Sequence, residues 1–273
     1  MSGRRLLDLL LSRKLVDDER VARSLIMQGR VLVDGKPVTG PGTAVPEEAG
    51  IEIKEPECPY VSRGGLKLKH CLDTLGSDAP NVAGAICLDV GSSTGGFTEV
   101  LLEQGAAKVY AVDVGTGLLD GRLRGDERIM LLEGVNARNL NAEHVPEPCG
   151  VFTVDVSFIS GVSLCPVIVP LLAERAEGLL LLKPQFEREP DEDDERKGWF
   201  AGGVVRHPAL HRRVLLKAYS QLVGDGFAVR RVLLAQPAGA KGNKEFFLHL
   251  KRADTGVSAS DFEAMVDRIV AAA

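Results

Sequence analysis

The sequence predicts an α/β protein: a doubly wound, mostly parallel seven-strand sheet preceded by a small α+β module. Two observations carry this. From about residue 60 onward, continuous apolar runs alternate with helical patterns, and strands apolar on both sides belong to a sheet covered on both faces. Before that point, two short helices and a hairpin fill under 60 residues as a unit of their own.

In the first module, Leu6, Leu7, Leu10 and Leu11 recur with helical spacing. Asp17 or Asp18 is placed to cap a second helix through Val21, Leu25 and Ile26, which Gly29 ends. Val31–Val33, the turn Asp34-Gly35 and the alternating Ile51-Glu52-Ile53 follow, and Asp-Gly between apolar residues is a hairpin signal. Glu55-Pro-Glu-Cys-Pro59, with two prolines in five residues, reads as linker. The expected domains are residues 1–58, a linker through 59–65, and 66–273. In the large domain, strands are expected at 86–90, 109–114, 129–132, 151–156, 179–182, 228–234 and 246–250. Helices are expected at 66–75, 97–104 and 208–223, with a last amphipathic helix at 258–270.

Of 273 residues, 45% are hydrophobic and 26% charged, which excludes a wholly disordered tail and a disulfide-framework miniprotein. Lys and Arg number 33 against 38 acids, a net charge of −5, so nucleic acid binding requires a local basic face. The first 36 residues supply one. They hold Arg4, Arg5, Arg13, Lys14, Arg20, Arg23, Arg30 and Lys36 against Asp8, Asp17, Asp18, Glu19 and Asp34. Cys58, Cys71, Cys87, Cys149 and Cys165 are odd in number and lack a C-x-x-C pair, so they read as small buried residues in a reducing compartment. No apolar run approaches the roughly 20 residues of a membrane span. The leucine-rich stretch 6–11 is interrupted by Asp8, closed by Arg13 and Lys14, and followed by no small-residue cleavage site, unlike a signal peptide. The expectation is a cytoplasmic protein.

Chemistry concentrates at strand ends. Asp89-Val-Gly-Ser-Ser-Thr-Gly-Gly-Phe-Thr98 follows a strand and opens a helix, where glycines admit a ligand to the backbone and free N–H groups face it. Its G-x-x-x-G-G spacing is neither the dinucleotide fingerprint nor a P-loop. Asp113 ends the next strand, 22 residues after Gly91, placed to hold a ribose diol. Glu133-Gly-Val-Asn136-Ala137-Arg138 follows the third strand and walls an adenine site. Together these describe a nucleoside cofactor across the carboxyl ends of the central strands.

Six motifs then occur in order: Tyr60-Val-Ser-Arg-Gly-Gly-Leu-Lys67-Leu, Asp89 to Thr98, Val154-Asp155-Val-Ser-Phe-Ile-Ser160, Leu182-Lys183-Pro-Gln-Phe-Glu187, Gly203-Val-Val-Arg206 and Lys241-Gly-Asn-Lys-Glu245-Phe. In these the chain resembles the TlyA (hemolysin A-like) family of ribosomal RNA 2′-O-methyltransferases with an FtsJ-like catalytic domain. The first module resembles that family's alpha-L RNA-binding domain. The resemblance implies a Rossmann-like methyltransferase sheet of seven strands with an antiparallel last strand, and S-adenosyl-L-methionine as cofactor. It implies ribosomal RNA within ribosomal subunits as partner, with a cytidine ribose as acceptor. It also implies a catalytic Lys-Asp-Lys-Glu tetrad on Lys67, Asp155, Lys183 and Glu245. The cofactor site is then expected on Asp89, Gly91, Ser93, Thr94, Gly95, Gly96, Phe97, Asp113, Asn136, Ala137 and Asp155, with no metal.

The residue chemistry agrees on place. Asp155 and Lys183 end strands four and five at the ligand-binding edge of an open sheet, and Glu245 opens strand seven. A ribose hydroxyl is a poor nucleophile that needs a base. A lysine desolvated beside another cation can serve, so Lys183 is assigned that role, Lys67 the second positive charge, and Asp155 and Glu245 the orientation of Lys183 and the ribose. The run 187–195 holds seven acids in nine residues and is expected as a solvated loop, departing from the family pattern at the substrate mouth together with Trp199-Phe200-Ala201. His207 and His211 are expected on an exposed helix face. Rival readings are another RNA acceptor such as a transfer RNA, a ribosome-binding module with an inactive site, and a haemolytic membrane protein. The last is disfavoured because the sequence has no long amphipathic stripe with a basic face.

Overall fold

The computed structural model describes residues 3–27, 29–54 and 58–272. Contacts divide the chain into two compact units, Met1–Pro59 and Tyr60–Ala273. The first unit contains β1 (Arg4–Arg5), α1 (Leu6–Ser12), α2 (Glu19–Met27), β2 (Val31–Val33), β3 (Lys36–Pro37), β4 (Ala44–Val45) and β5 (Ile51–Ile53). Leu6, Leu7, Leu9 and Leu10 of α1 are buried against Ala22, Ile26, Val31 and Val45. Asp18 Oδ1 accepts from Val21 N–H at 3.1 Å, so Asp18 caps α2. Gly29, at φ +68°, stops it: its N–H donates to Ile26 O and that of Arg30 to Leu25 O. Asp34 and Gly35, at φ +49° and +77°, make the tight turn between β2 and β3, and β5 pairs antiparallel with the other side of β2.

The second unit runs α3 (Arg63–Leu75), β6 (Ile86–Val90), α4 (Gly96–Glu103), β7 (Lys108–Asp113), β8 (Ile129–Glu133), β9 (Cys149–Val154), α5 (Cys165–Ile168), β10 (Leu172–Leu182), α6 (Pro184–Glu187), α7 (Glu192–Arg196), β11 (Phe200–Ala201), β12 (Val204–Val205), α8 (Pro208–Gly224), β13 (Phe227–Leu234), β14 (Phe246–Arg252) and α9 (Ala259–Ala272). Seven strands form one sheet in the order β13-β14-β10-β9-β6-β7-β8, with β14 antiparallel to both neighbours. All seven overlap the expected apolar runs, although β10 begins seven residues earlier than the expected 179–182. Alternate residues feed opposite faces: Leu180 and Leu182 pack with α8 and α9, while Leu179 and Leu181 pack with α3 and α4. The chain leaves β6 toward β7 and β8, then returns to β9 on the other side, so the topological switch point lies between β6 and β9.

Three expectations need correction. The linker is shorter than 59–65. Residues 55–57 of the proline-rich stretch lie outside the described residues, but 60–65 belong to the second unit. There Val61 N–H donates to Glu99 at 2.6 Å, and the Ser62 hydroxyl caps α3 through Gly64 N–H. The acidic run 187–195 is not a free solvated loop. Asp191 caps α7, Asp194 is buried against Arg213, and Lys217 pairs with Glu189 at 2.5 Å; basic residues of α8 offset the like-charge repulsion. His207 and His211 do not share an exposed face. His207 caps α8 and stacks on Trp199 with ring centroids 4.1 Å apart. His211 is buried against the edge of Phe246, and burial pushes its pKa down to about 4.

Gly178, in the middle of β10, sits opposite Phe152 of β9, and a Cβ there would lie 2.5 Å from the Phe152 ring and overlap its carbonyl oxygen. Phe152 is fully buried, so neither ring nor backbone can yield. Gly178→Ala is expected to destabilise the large unit by about 1–3 kcal/mol, as overpacking does, read as a lower urea midpoint at unchanged slope.

Candidate active site

The loop after β6 is shaped by what its glycines leave out. Gly91 has φ +89°, and a Cβ on it would lie 2.9 Å from the Asp155 carbonyl carbon, so the ends of β6 and β9 meet only because this position has no side chain. Gly95, at φ +98°, precedes α4, with Leu119 and Leu123 packed where its side chain would be. Gly96 lets α4 approach the start of α3; a Cβ would lie 2.8 Å from Gly65 N. The Ser92 hydroxyl is buried in this loop with no hydrogen-bond partner among the described residues.

Asp113, the last residue of β7, accepts from Ser93 N–H and Gly115 N–H, both at 2.8 Å, so its carboxylate holds the glycine loop and the turn after β7 together. Val135 N–H donates to Asp113 O at 3.1 Å and brings the next loop alongside. There Asn136 is exposed and accepts from Arg138 N–H, and Ala137 is half-buried against the core. Ser93 is exposed and Thr94 half-buried on the same rim. Asp113, Gly91, Ser93, Thr94, Gly95, Gly96, Asn136 and Ala137 therefore all belong to loops at the carboxyl ends of β6, β7 and β8.

Two of the expected cofactor residues face inward. Asp89 is fully buried, its carboxylate accepting from Thr98 Oγ1 at 2.6 Å and Thr153 Oγ1 at 2.8 Å. It braces the loop from below. Phe97 is also buried, its ring stacked on Phe247 with centroids 6.0 Å apart. An apolar residue in the first turn of an amphipathic helix points to the core, which outweighs its place in the motif.

The tetrad assembles as two ion pairs at the same edge of the sheet. Lys67 Nζ, on α3, lies 2.6 Å from Glu245 Oε2, and both side chains are almost wholly buried. Lys183 Nζ lies 2.6 Å from Asp155 Oδ1 and donates to Ser157 Oγ at 2.9 Å. Leu182 pairs with Phe246 in the antiparallel ladder, so Lys183 and Glu245 are the next positions on neighbouring strands. The ladder thus joins the two pairs.

Ser157 and Glu187 are parts of the site that the sequence did not single out. Glu187 accepts from Ser160 Oγ at 2.5 Å and Gly161 N–H at 2.6 Å, and burial raises its pKa. The segment 155–161 is therefore fastened to 183–187 at both ends, by Lys183 on one side and Glu187 on the other. Between them Phe158, at φ +69° and 87% exposed, stands against Phe186 at 5.3 Å between centroids. The clue in the sequence was that Glu187 closes a motif as well as opening the acidic run.

Sheet order, antiparallel β14, the glycine loop at the switch point and the acid ending β7 define a Rossmann-like methyltransferase that uses S-adenosyl-L-methionine. The buried Ser92 hydroxyl, unpartnered among the described residues, and the three glycines of the loop fit that cofactor. The FtsJ-like methyltransferase model matches residues 60–252 and the S4 domain model residues 4–51. The chain is 38% identical over 264 residues to the 16S/23S rRNA (cytidine-2′-O)-methyltransferase TlyA of Mycobacterium tuberculosis, covering 96% of this chain and 95% of that protein. It is 37% identical over 229 residues to Hemolysin A of Brachyspira hyodysenteriae, covering 84% and 91% respectively. Among solved structures, a putative hemolysin from Streptococcus thermophilus matches with a TM-score of 0.71 and 31% identity over 98% of this chain and 96% of that one. The chain belongs to the FtsJ-like methyltransferase family, alongside the TlyA and hemolysin A proteins.

Burial pushes the Asp89 pKa from 3.8 up to about 6, against the opposing hydrogen bonds of Thr98 and Thr153. Since the folded value is the raised one, its contribution to stability is full below about pH 4 and lost as pH rises through 6. Asp89→Asn has no charge to bury. Its stability relative to wild type should therefore rise by roughly 3 kcal/mol between pH 4 and pH 7, at about 1.4 kcal/mol per unit. Urea unfolding at four pH values checks this; a flat difference would mean that Asp89 ionises without cost.

Proposed function

We propose that this chain transfers the methyl group of S-adenosyl-L-methionine to a ribose 2′-hydroxyl, that of a cytidine, in ribosomal RNA held within a ribosomal subunit. The observation that carries the reading is the meeting of Lys67, Asp155, Lys183 and Glu245 as two ion pairs beside the glycine loop. The activity for which the M. tuberculosis relative is named supports the acceptor, and that relative matches nearly end to end. Hemolysin is the name of another relative, but no helix among the described residues is long and apolar enough to cross a membrane.

When bound, S-adenosyl-L-methionine supplies an electrophilic sulfonium methyl. With its own ammonium proton given up, Lys183 Nζ would take the 2′-hydroxyl proton as that oxygen receives the methyl group. Asp155 and Ser157 fix where that amine points. Lys67, held by Glu245, adds positive charge next to the developing alkoxide. The exposed Phe158 ring offers a face on which a base can stack.

The first unit supplies RNA contacts. Arg4, Arg5 and Arg23 pair with Glu47, Asp8 and Glu19. Arg13 and Arg30 instead donate to backbone carbonyls, Arg13 to Ala49 and Arg30 to Lys54, which leaves their charge available to phosphates. Deleting residues 1–57 should abolish rRNA methylation while cofactor affinity stays within about twofold by calorimetry. A truncated protein working at full rate would give this unit another task.

Lys183→Ala should bind cofactor and RNA but lose roughly 10²–10⁴ in single-turnover rate, the usual loss for a general base. Lys183→Arg should fail nearly as badly, because a guanidinium stays protonated. An arginine variant within tenfold of wild type would falsify the base assignment. The product is read by alkali: 2′-O-methylation protects the adjoining phosphodiester, so an alkali-sensitive product would move the reaction off the ribose.

A further inference from the structure

The loop joining β13 to β14 delivers Glu245 to the site, and the geometry points to Gly239 and Asn243 as positioning residues that hold the Glu245 carboxylate against Lys67. This rests on the reading of Glu245 as part of the active site.

Gly239 has φ −68° and ψ −176°, a conformation open to any residue, so glycine is not needed there for its backbone freedom. It is needed for space. A Cβ at 239 would lie 2.5 Å from Glu245 Cδ and overlap Oε1. A glutamate on an open surface would swing aside, but Glu245 is 3% exposed and its other oxygen is held by Lys67 at 2.6 Å. The carboxylate is therefore confined between an ammonium on one side and the Gly239 backbone on the other.

Asn243 makes that backbone a fixed wall. It is buried, its Oδ1 accepts from Val205 N–H at 3.2 Å, and its Nδ2 donates to Gly203 O at 3.0 Å and Ala240 O at 3.2 Å. Its carbonyl accepts from Gly239 N–H at 2.8 Å, and Ala235 N–H donates to Glu245 O at 2.8 Å, closing the loop at its base. All three partners of the amide side chain are backbone groups of β12, the β11–β12 turn and the 239–243 turn. Asn243 thus rivets the hairpin that follows the acidic run to the loop that confines Glu245. A displacement of the order of 1 Å in such a site costs about 10²-fold in rate.

The test uses the full-length protein and ribosomal subunits under single-turnover conditions at saturating cofactor. Gly239→Ala should lower the rate of the folded fraction at least tenfold, with cofactor Kd and the RNA dependence of the rate near wild type. A purely structural role would instead lower the thermal midpoint and leave the rate of the folded fraction intact. Asn243→Ser removes the amide donors without burying a charge, and should do the same; it decides alone if Gly239→Ala is recovered unfolded. In a Glu245→Asp background the carboxylate is withdrawn by one methylene, so the added methyl has less to displace and should cost under threefold more. A Gly239→Ala rate within twofold of wild type, or an equal loss in both backgrounds, overturns the proposal. Glu245→Ala, assayed alongside, separates the two claims. Full activity there would remove Glu245 from the machinery, whereas loss there with an intact Gly239→Ala rate would remove only the loop's role.

Discussion

The Asp89 carboxylate ties three elements together where the active site is built. It stands on β6 and accepts from Thr98 on α4 and from Thr153 on β9. Those are the central strand, the helix that receives the glycine loop, and the strand whose end carries Asp155. Burying a carboxylate is unfavourable, and its raised pKa registers that cost. The two hydroxyl donors and the Thr98 backbone offset part of it, and donors placed on α4 and β9 hold the three elements in one arrangement. The gap at the switch point, in which Gly91 nearly touches Asp155, depends on this arrangement.

The tetrad follows the same logic at the surface of the fold. Lys67 and Glu245 come from elements 178 residues apart in sequence, yet meet at 2.6 Å with little solvent access. An ion pair so buried contributes little net stability, since desolvation consumes most of its Coulomb energy. Lys183 and Asp155 are arranged differently: Asp155 is one-fifth exposed, and Ser157 shares the ammonium. The first pair is closed on itself, while the second has a third partner on the 155–161 segment.

Much of this was legible in the sequence, for a physical reason. Strands buried on both faces must be apolar throughout, so β6, β7, β9 and β10 announced themselves, and strand ends then placed Asp113, Asp155 and Lys183 on one edge. What stayed illegible depended on partners distant in sequence. Asp89 and Phe97 lie within a ligand-binding motif, but their side chains turn inward toward Thr153 and Phe247. The acidic run looked unable to order itself because its cations, Arg213 and Lys217, arrive on α8. His211 looked exposed because four-residue spacing says which residues share a helix face but not which face is covered, and Phe246 covers this one.

Net charge is a poor guide to partners in a chain of two units. The whole molecule is acidic, yet the excess acids are spent on local tasks: Glu187 fastens a loop, Asp191 caps a helix and Asp194 meets Arg213. Asp194 is neutralised where it stands, and exposed charges project little field beyond a Debye length of about 10 Å. Arg13 and Arg30 donate to carbonyl oxygens and have no carboxylate partner among the described residues, so they keep their charge. In the second unit Arg63 donates to Ala238 O at 2.7 Å and Lys241 to Gly202 O at 3.2 Å, again with no carboxylate partner among the described residues. Lys241 stands on the loop that confines Glu245, and Arg63 reaches that loop from the start of α3. A polyanion approaching this protein therefore meets uncompensated positive charge at the S4 unit and again beside the tetrad, although the sum over all residues is negative.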